Sequence, residues 1–332
     1  MGLEKYALID LHVHLDGSLS PSAILDVARV ERIQLPANNE RDLLPYLVAP
    51  ENCKSLNEYL ERFNLPNLVL QTKRGLIGCT LDLLYRLAND GLKYVEIRMA
   101  PQLSKDKGLT QEQVVKYLIK ACKKGRKYGI MSNLILCMMR GNGVRNNNLE
   151  TIEVAKKYLN KGVVALDLAG AEALFPNENY DEEFKLAYIN NIPLTIHSGE
   201  AAGAESVKTA LKYQPKRIGH GINSIQDEEV IKQLIGKNIC LEICPKSNLD
   251  TKAISKYEDL PLRKFVDKGV KVCINTDDMT VSNTTLKQEF NTLEKLGFNE
   301  NEARKFTANA IQCSFADNKT KQILWDLLNK IN

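Results

Sequence analysis

Four histidines occur in the 332-residue chain, His12, His14, His197 and His220, and each sits at or just past the end of a short apolar run. The spacing of His12 and His14 is i, i+2, which on a β-strand sends both imidazoles to one face. Two inward nitrogens are half of a nitrogen and oxygen site for a divalent ion. His197 can add a third nitrogen, and Asp277 or Asp278 in the segment INTDDM a carboxylate, with its neighbour left to face a substrate. Zinc suits that donor set and lowers the pKa of a bound water to about 7, which supplies a nucleophile near neutral pH.

Glu200 stands three residues after His197 in HSGE, close enough to share a site without being a ligand. A partly desolvated carboxyl there can carry a proton to a ring nitrogen as a general acid. His220, between the glycines of IGHG, is left to orient the attacking water, and those glycines suit a tight turn with close backbone approach. Each residue alone has an ordinary structural explanation: a hydrogen-bonded core histidine, a helix N-terminal acid, a solvated acid pair. Four histidines that all fall at run ends are harder to explain that way.

Positioning these groups requires the runs to converge. Eight β-rich apolar runs lie at 7–14, 94–98, 133–138, 163–168, 193–197, 217–220, 239–243 and 270–275, with amphipathic stretches between them at 111–128, 151–159, 205–213 and 228–235. Such alternation fits an open doubly wound sheet or a closed barrel. The count of eight, with polar motifs at the strand C-terminal ends, favours an α/β fold of the TIM-type (β/α)8 class, where those ends meet on one rim. A barrel needs about 250 residues, and most of the surplus lies between the first two strands, which predicts a helical insertion there. Ser20 before Pro21 is a helix start, and Leu56, Tyr59, Leu60 and Phe63 recur at i, i+3, i+4, i+7 on a second helix. That stripe is either core or a hydrophobic lid over the barrel mouth.

The formal net charge is only +4, with acids and bases interspersed, so there is no basic stripe for nucleic acid or an anionic membrane. A small neutral substrate fits better, and nothing marks an obligate protein partner. The N-terminus lacks an apolar leader and no run has membrane-spanning length, so a cytoplasmic protein is expected. No linker or repeat divides residues 1–332, which points to one domain. The eight cysteines are scattered without a C-x-x-C pair and read as reduced core residues, neither staples nor zinc ligands.

Together HVHLDGS (12–18), LDLAG (166–170), HSGEAAG (197–203), RIGHG (217–221) and NTDD (275–278) resemble the adenosine deaminase family, in the family's order along the chain. The resemblance implies one zinc ion per chain, bound by His12, His14, His197 and Asp277. It implies that Glu200 protonates purine N1 as hydroxide attacks C6, releasing ammonia and inosine, while His220 and Asp277 hold that hydroxide. Asp278 would hydrogen-bond N7, the Gly170 amide N3, and Asp16 the ribose 5′-hydroxyl, with His14 near the sugar. Leu56, Tyr59, Leu60 and Phe63 fall where the family keeps a hydrophobic lid.

Asp16 carries the substrate assignment within the resemblance, because the similar adenine deaminases have Glu in the corresponding HLEG motif and bind no ribose. A carboxylate there also repels a 5′-phosphate. Met279, where many members have Pro, and the segment RMAPQ (98–102) depart from the family pattern and bear on pocket shape, hence on 2′-deoxyadenosine and other purine nucleosides. The rival readings are a deaminase of adenine or another adenosine-like nucleoside, and a non-catalytic metal-binding nucleoside sensor, against which Glu200 speaks. A dinuclear hydrolase would want a Lys where LDLAG ends strand four, and a cytidine-type zinc site would want P-C-x-x-C, and neither is present.

Overall fold

In the computed structural model, which describes residues 2–331, eight strands form where the apolar runs lie. They are β1 (Ile9–His14), β2 (Tyr94–Met99), β3 (Met131–Met139), β4 (Val163–Ala169), β5 (Thr195–Ser198), β6 (Arg217–His220), β7 (Cys240–Ile243) and β8 (Lys271–Ile274). All paired neighbours are parallel, in the orders β1-β2-β3-β4 and β5-β6-β7-β8. Single parallel bridges join the two halves at both seams, Leu166 with Leu194 and Val13 with Asp277. The second seam is carried by Asp277 N–H donating to His12 O at 2.8 Å and His14 N–H donating to Asp277 O at 2.8 Å. The fold is thus the expected TIM-type barrel, and the metal-type residues themselves form one of its seams.

Helices cover the outside because the outward strand faces are apolar: Leu11, Val13, Val95, Ile97, Leu134 and Ile196 are fully buried. The stretch read as one helix at 111–128 is an α-helix at Gln111–Gly125, opened by a Thr110/Gln113 capping box, that tightens into a 3-10 turn at Arg126–Tyr128. The helix read at 151–159 begins earlier, at Arg145, where Val144 provides no side-chain cap and so no sequence signal of the start. Ser20 caps the helix Pro21–Glu31 as read, accepting from Ala23 N–H at 3.1 Å.

The surplus sequence forms the helical insertion between β1 and β2. The lid stripe is not one continuous helix: Leu56–Leu60 is α-helical, Glu61–Phe63 is a 3-10 turn and Asn64–Val69 is again α-helical. Pro66 accounts for the break, since it has no N–H to donate to the carbonyl of residue 62. Among the described residues no helix is long and apolar enough to cross a membrane. All eight cysteines are free, and seven are buried.

Candidate active site

The strand pattern that buries apolar side chains outward turns charged ones inward. Glu96, Arg98, Asp167, Arg217 and Glu242 are fully buried inside the barrel, below the histidines. Arg98 donates to Asp167 Oδ2 at 2.9 Å and also bonds Glu242, while Arg217 donates to Glu96 at 2.6 Å and to Glu242. Burying this many charges is tolerable only because each faces an opposite charge.

This layer aims the imidazoles. Glu242 Oε2 lies 2.9 Å from His12 Nδ1, and Asp167 Oδ2 lies 2.8 Å from His197 Nδ1. A carboxylate can only accept, so each Nδ1 carries the proton and each Nε2 presents a lone pair. Yet His12 Nε2 is 3.0 Å from His197 Nε2, and His14 Nε2 is 3.2 Å from His197 Nε2. Asp277 Oδ1 completes the group, 3.2 Å from His12 Nε2 and 3.4 Å from His14 Nε2. Lone pairs converging at these separations repel one another unless a cation stands among them. These separations lie at or slightly inside the edges of about 3.3–3.6 Å of a tetrahedron with metal–ligand distances of about 2.0–2.2 Å. His12, His14, His197 and Asp277 therefore fit a divalent ion, as their residue types and spacing had suggested.

A second grouping, His12, His220, Cys244 and Asp277, also places its ligand atoms within 4.8 Å of one another. Its thiol is the poorer ligand: burial and the nearby Asp277 push the Cys244 pKa well up, keeping the proton on sulfur.

Above the ion site, His220 and Asp277 both hold left-handed backbone angles, φ 59° and 65°, which non-glycine residues rarely adopt. These turns point both side chains into the rim. Asn248 contacts His220 Nδ1 at 3.0 Å, leaving His220 Nε2 facing Glu200 Oε2 at 3.6 Å and Asp277 Oδ2 at 3.7 Å, separations longer than a direct hydrogen bond. Ser247 donates to Asp277 Oδ2 at 2.7 Å. The glycines beside His220 do what the motif suggested: a Cβ on Gly219 would meet His12 Cε1 at 3.0 Å, and Gly221 sits at φ 69°.

Protonation states divide the carboxyls. Burial, then the charge on Asp277, raises Glu200 to about 8, so it holds a proton at neutral pH. Thr251 donates to its Oε1 at 2.9 Å. Burial and the neighbouring Asp277 hold Asp278 well above the usual carboxylate range, and burial raises Asp16 to about 6.

A cavity of about 290 Å³ opens onto this rim, bordered by His14, Asp16, Gly170, Glu200, His220 and Asp278, with Leu56, Tyr59, Leu60 and Phe63 across its mouth. These four side chains thus line the same space as the catalytic candidates. Two buried oxygens, Asp16 Oδ1 and Asp278 Oδ1, have no hydrogen-bond partner among the described residues. Such atoms in the wall of a cavity are the places where a polar ligand binds. Gly17 makes room for one of them, since a Cβ there would stand 1.8 Å from Asp278 Oδ1.

Sequence reasoning missed the layer beneath and the frame around: Glu242, Asp167, Arg98, Asn248, Thr251 and Glu172. It also read Tyr59 only as apolar, although its hydroxyl reaches Asp278. The available signal was a charge inside an apolar run, as in VEIRM, ALDLA and CLEIC.

A parallel barrel that gathers three imidazoles, a carboxylate and a protonated glutamic acid at its strand C-terminal ends is the architecture of a metal-dependent hydrolase. The comparisons narrow the class. The family model described as "Adenosine deaminase" matches residues 7–331. The adenosine deaminase of Haemophilus ducreyi is 46% identical over 98% of this chain and 96% of its own length, and that of Clostridium botulinum strain Kyoto is 42% identical over 100% and 99%. Among solved structures, the adenine deaminase of Arthrobacter aurescens superposes with a TM-score of 0.88 at 27% identity, covering 97% of this chain and 98% of that one. This chain belongs to the adenosine deaminase family, and it is a hydrolytic deaminase.

Proposed function

We propose that the chain converts adenosine, and 2′-deoxyadenosine, to inosine-type products and ammonia, using one zinc ion held by His12, His14, His197 and Asp277. The observation that carries the reading is the convergence of four ligand atoms on one point beside the buried carboxyl of Glu200. A zinc ion at that point supplies an acidified water as the nucleophile near neutral pH.

The chain's own residues do the rest. Glu200 gives its proton to N1 of the purine while the attacking oxygen adds at C6; the C6–N6 bond then breaks, and the amino group leaves as ammonia with the proton given up by that oxygen. His220 Nε2 and Asp277 Oδ2 border the gap where that oxygen is held and its proton accepted. Asp278, protonated, donates from its unpaired Oδ1 to N7, and the Gly170 amide donates to N3. Asp16 accepts the ribose 5′-hydroxyl through its own unpaired oxygen. Leu56, Leu60 and Phe63 cover the ring and exclude water.

The fold neighbour that deaminates adenine makes a ribose-free substrate the second reading. Asp16 separates the two, since an adenine-sized ligand leaves its buried oxygen without a partner. The test is turnover of adenosine, 2′-deoxyadenosine, adenine and adenosine 5′-phosphate, followed by ultraviolet absorbance, with metal analysis before and after chelation. Adenosine and deoxyadenosine turning over with zinc bound supports the reading; adenine as the preferred substrate, or full activity without metal, overturns it.

A further inference from the structure

The loop that carries Glu200 is fastened by one buried carboxylate. Glu172 is 2% exposed and accepts from four consecutive backbone amides: Gly199 at 2.6 Å, Glu200 at 3.0 Å, Ala201 at 2.8 Å and Ala202 at 3.1 Å. A fifth donor, the Ser206 hydroxyl, approaches at 2.6 Å. These donors divide between the two oxygens, Gly199 and Ser206 on Oε1 and the other three on Oε2, so both are saturated. Only an ionised carboxylate has lone pairs enough on both oxygens for such a cluster.

The opposite side of the loop is held by Asn223. Its side-chain amide donates to Glu200 O at 3.1 Å and Ala202 O at 3.0 Å, and its backbone N–H donates to Gly199 O at 3.0 Å. The peptide groups around Glu200 are therefore gripped on both faces, and its carboxyl is held separately by Thr251. Gly199, at φ 73° and with no room for a Cβ beside Val207, lets the chain turn from β5 into this grip.

We propose that Glu172 is a positioning residue for deamination: by collecting the amides of residues 199–202 it fixes the distance from Glu200 to the purine ring and to His220. The proposal rests on the reading of Glu200 as the proton carrier. Among the described residues Glu172 shares no hydrogen bond with the four ligand side chains or with Asp16, so its effect falls on the placement of Glu200 and not on metal or ribose binding.

The experiment compares Glu172→Gln, Glu200→Gln and the double variant of the full chain, loaded with zinc. A glutamine keeps the size but turns one acceptor into a donor facing amide N–H groups, so kcat for adenosine falls about 100-fold, the cost of a displacement near 1 Å. KM, zinc content and inhibition by inosine stay within about threefold of wild type, because ground-state binding does not use the loop. In the Glu200→Gln background the same change costs no more than about twofold, since the group being positioned is already gone. Wild-type kcat in Glu172→Gln, a loss in KM alone, or an undiminished loss in the Glu200→Gln background overturns the proposal. Wild-type kcat in Glu200→Gln overturns the proton-carrier reading itself and the positioning role with it. If Glu172→Gln does not fold, Glu172→Asp decides. It keeps the charge but withdraws the carboxylate, and a kcat reduced about tenfold at unchanged KM supports the role while wild-type kcat overturns it.

Discussion

The phenolic oxygen of Tyr59 lies 3.0 Å from Oδ2 of Asp278, and 2.7 Å from the hydroxyl of Ser282. A residue of the insertion after β1 thereby grips a residue at the end of β8, with Tyr59 only 1% exposed. The hydroxyl occupies Oδ2, while Oδ1 has no hydrogen-bond partner among the described residues, so the insertion helps set the orientation of the Asp278 carboxyl.

Tyr59→Phe keeps the ring packing against Phe63 and removes both hydrogen bonds of the hydroxyl, to Asp278 and to Ser282. The loss of two buried hydrogen bonds, each worth about 1 kcal/mol, lowers kcat/KM for adenosine at least roughly fivefold. Steady-state kinetics checks it, and an unchanged kcat/KM would show that the lid closes without the hydroxyl.

Asp167→Asn tests the layer beneath the ligands. Asp167 accepts from His197 Nδ1 and from Arg98, which outweigh its burial and hold it well below the usual carboxylate range. Loss of such a partner typically weakens metal affinity about 10-fold to 100-fold. Competition with a chelator measures this, and an unaltered affinity would mean that the imidazole is held by packing alone.

The difference between the ligands and that layer explains what could be read from the sequence. Histidine is rare in this chain, so four at strand ends stood out, and the i, i+2 spacing of His12 and His14 fixed their common face. The barrel was legible in the count of eight apolar runs with polar motifs at their C-terminal ends. Glu242, Asp167 and Arg98 are common residue types whose meaning depends on which strands become neighbours, and strand neighbours come from closure of the barrel. Glu172 lies two residues past LDLAG, in a loop with no periodicity, and its partners lie some thirty positions away, at residues 199–206. Tyr59 carried two signals at once, an apolar spacing and a hydroxyl, and the spacing alone was legible.

Asp16→Ala should separate nucleoside from base. With its buried Oδ1 unpaired except by a ligand, its removal costs adenosine a hydrogen bond that an adenine-sized analogue never makes. Affinities of adenosine-like and adenine-like inhibitors check this, and equal losses for both would remove the ribose contact from the account.

Glu289 gives a prediction for stability. Burial raises it to about 8, with Thr284 donating to Oε1 at 2.6 Å and the Lys246 amide to Oε2 at 3.2 Å. Its folded pKa lies above the unfolded value of about 4.5, so between these values the native state binds more protons than the unfolded state. Stability is therefore lost as pH rises through that window. Glu289→Gln removes the loss, since the Thr284 hydroxyl can accept from the new amide while its carbonyl accepts from Lys246. The melting temperature of the variant exceeds that of wild type by a few degrees near pH 8 and converges on it toward pH 5. Parallel melting curves across this range would argue against a protonated Glu289.

The most direct test of the chemistry is Glu200→Gln, assayed for adenosine turnover and zinc content on the same preparation. Glu200 is not among the four converging ligand atoms, so the variant should retain one zinc per chain. Its kcat should fall about a thousandfold, the usual contribution of a positioned general acid. A zinc-loaded variant that deaminates adenosine at the wild-type rate would contradict the assignment of Glu200 as the proton carrier.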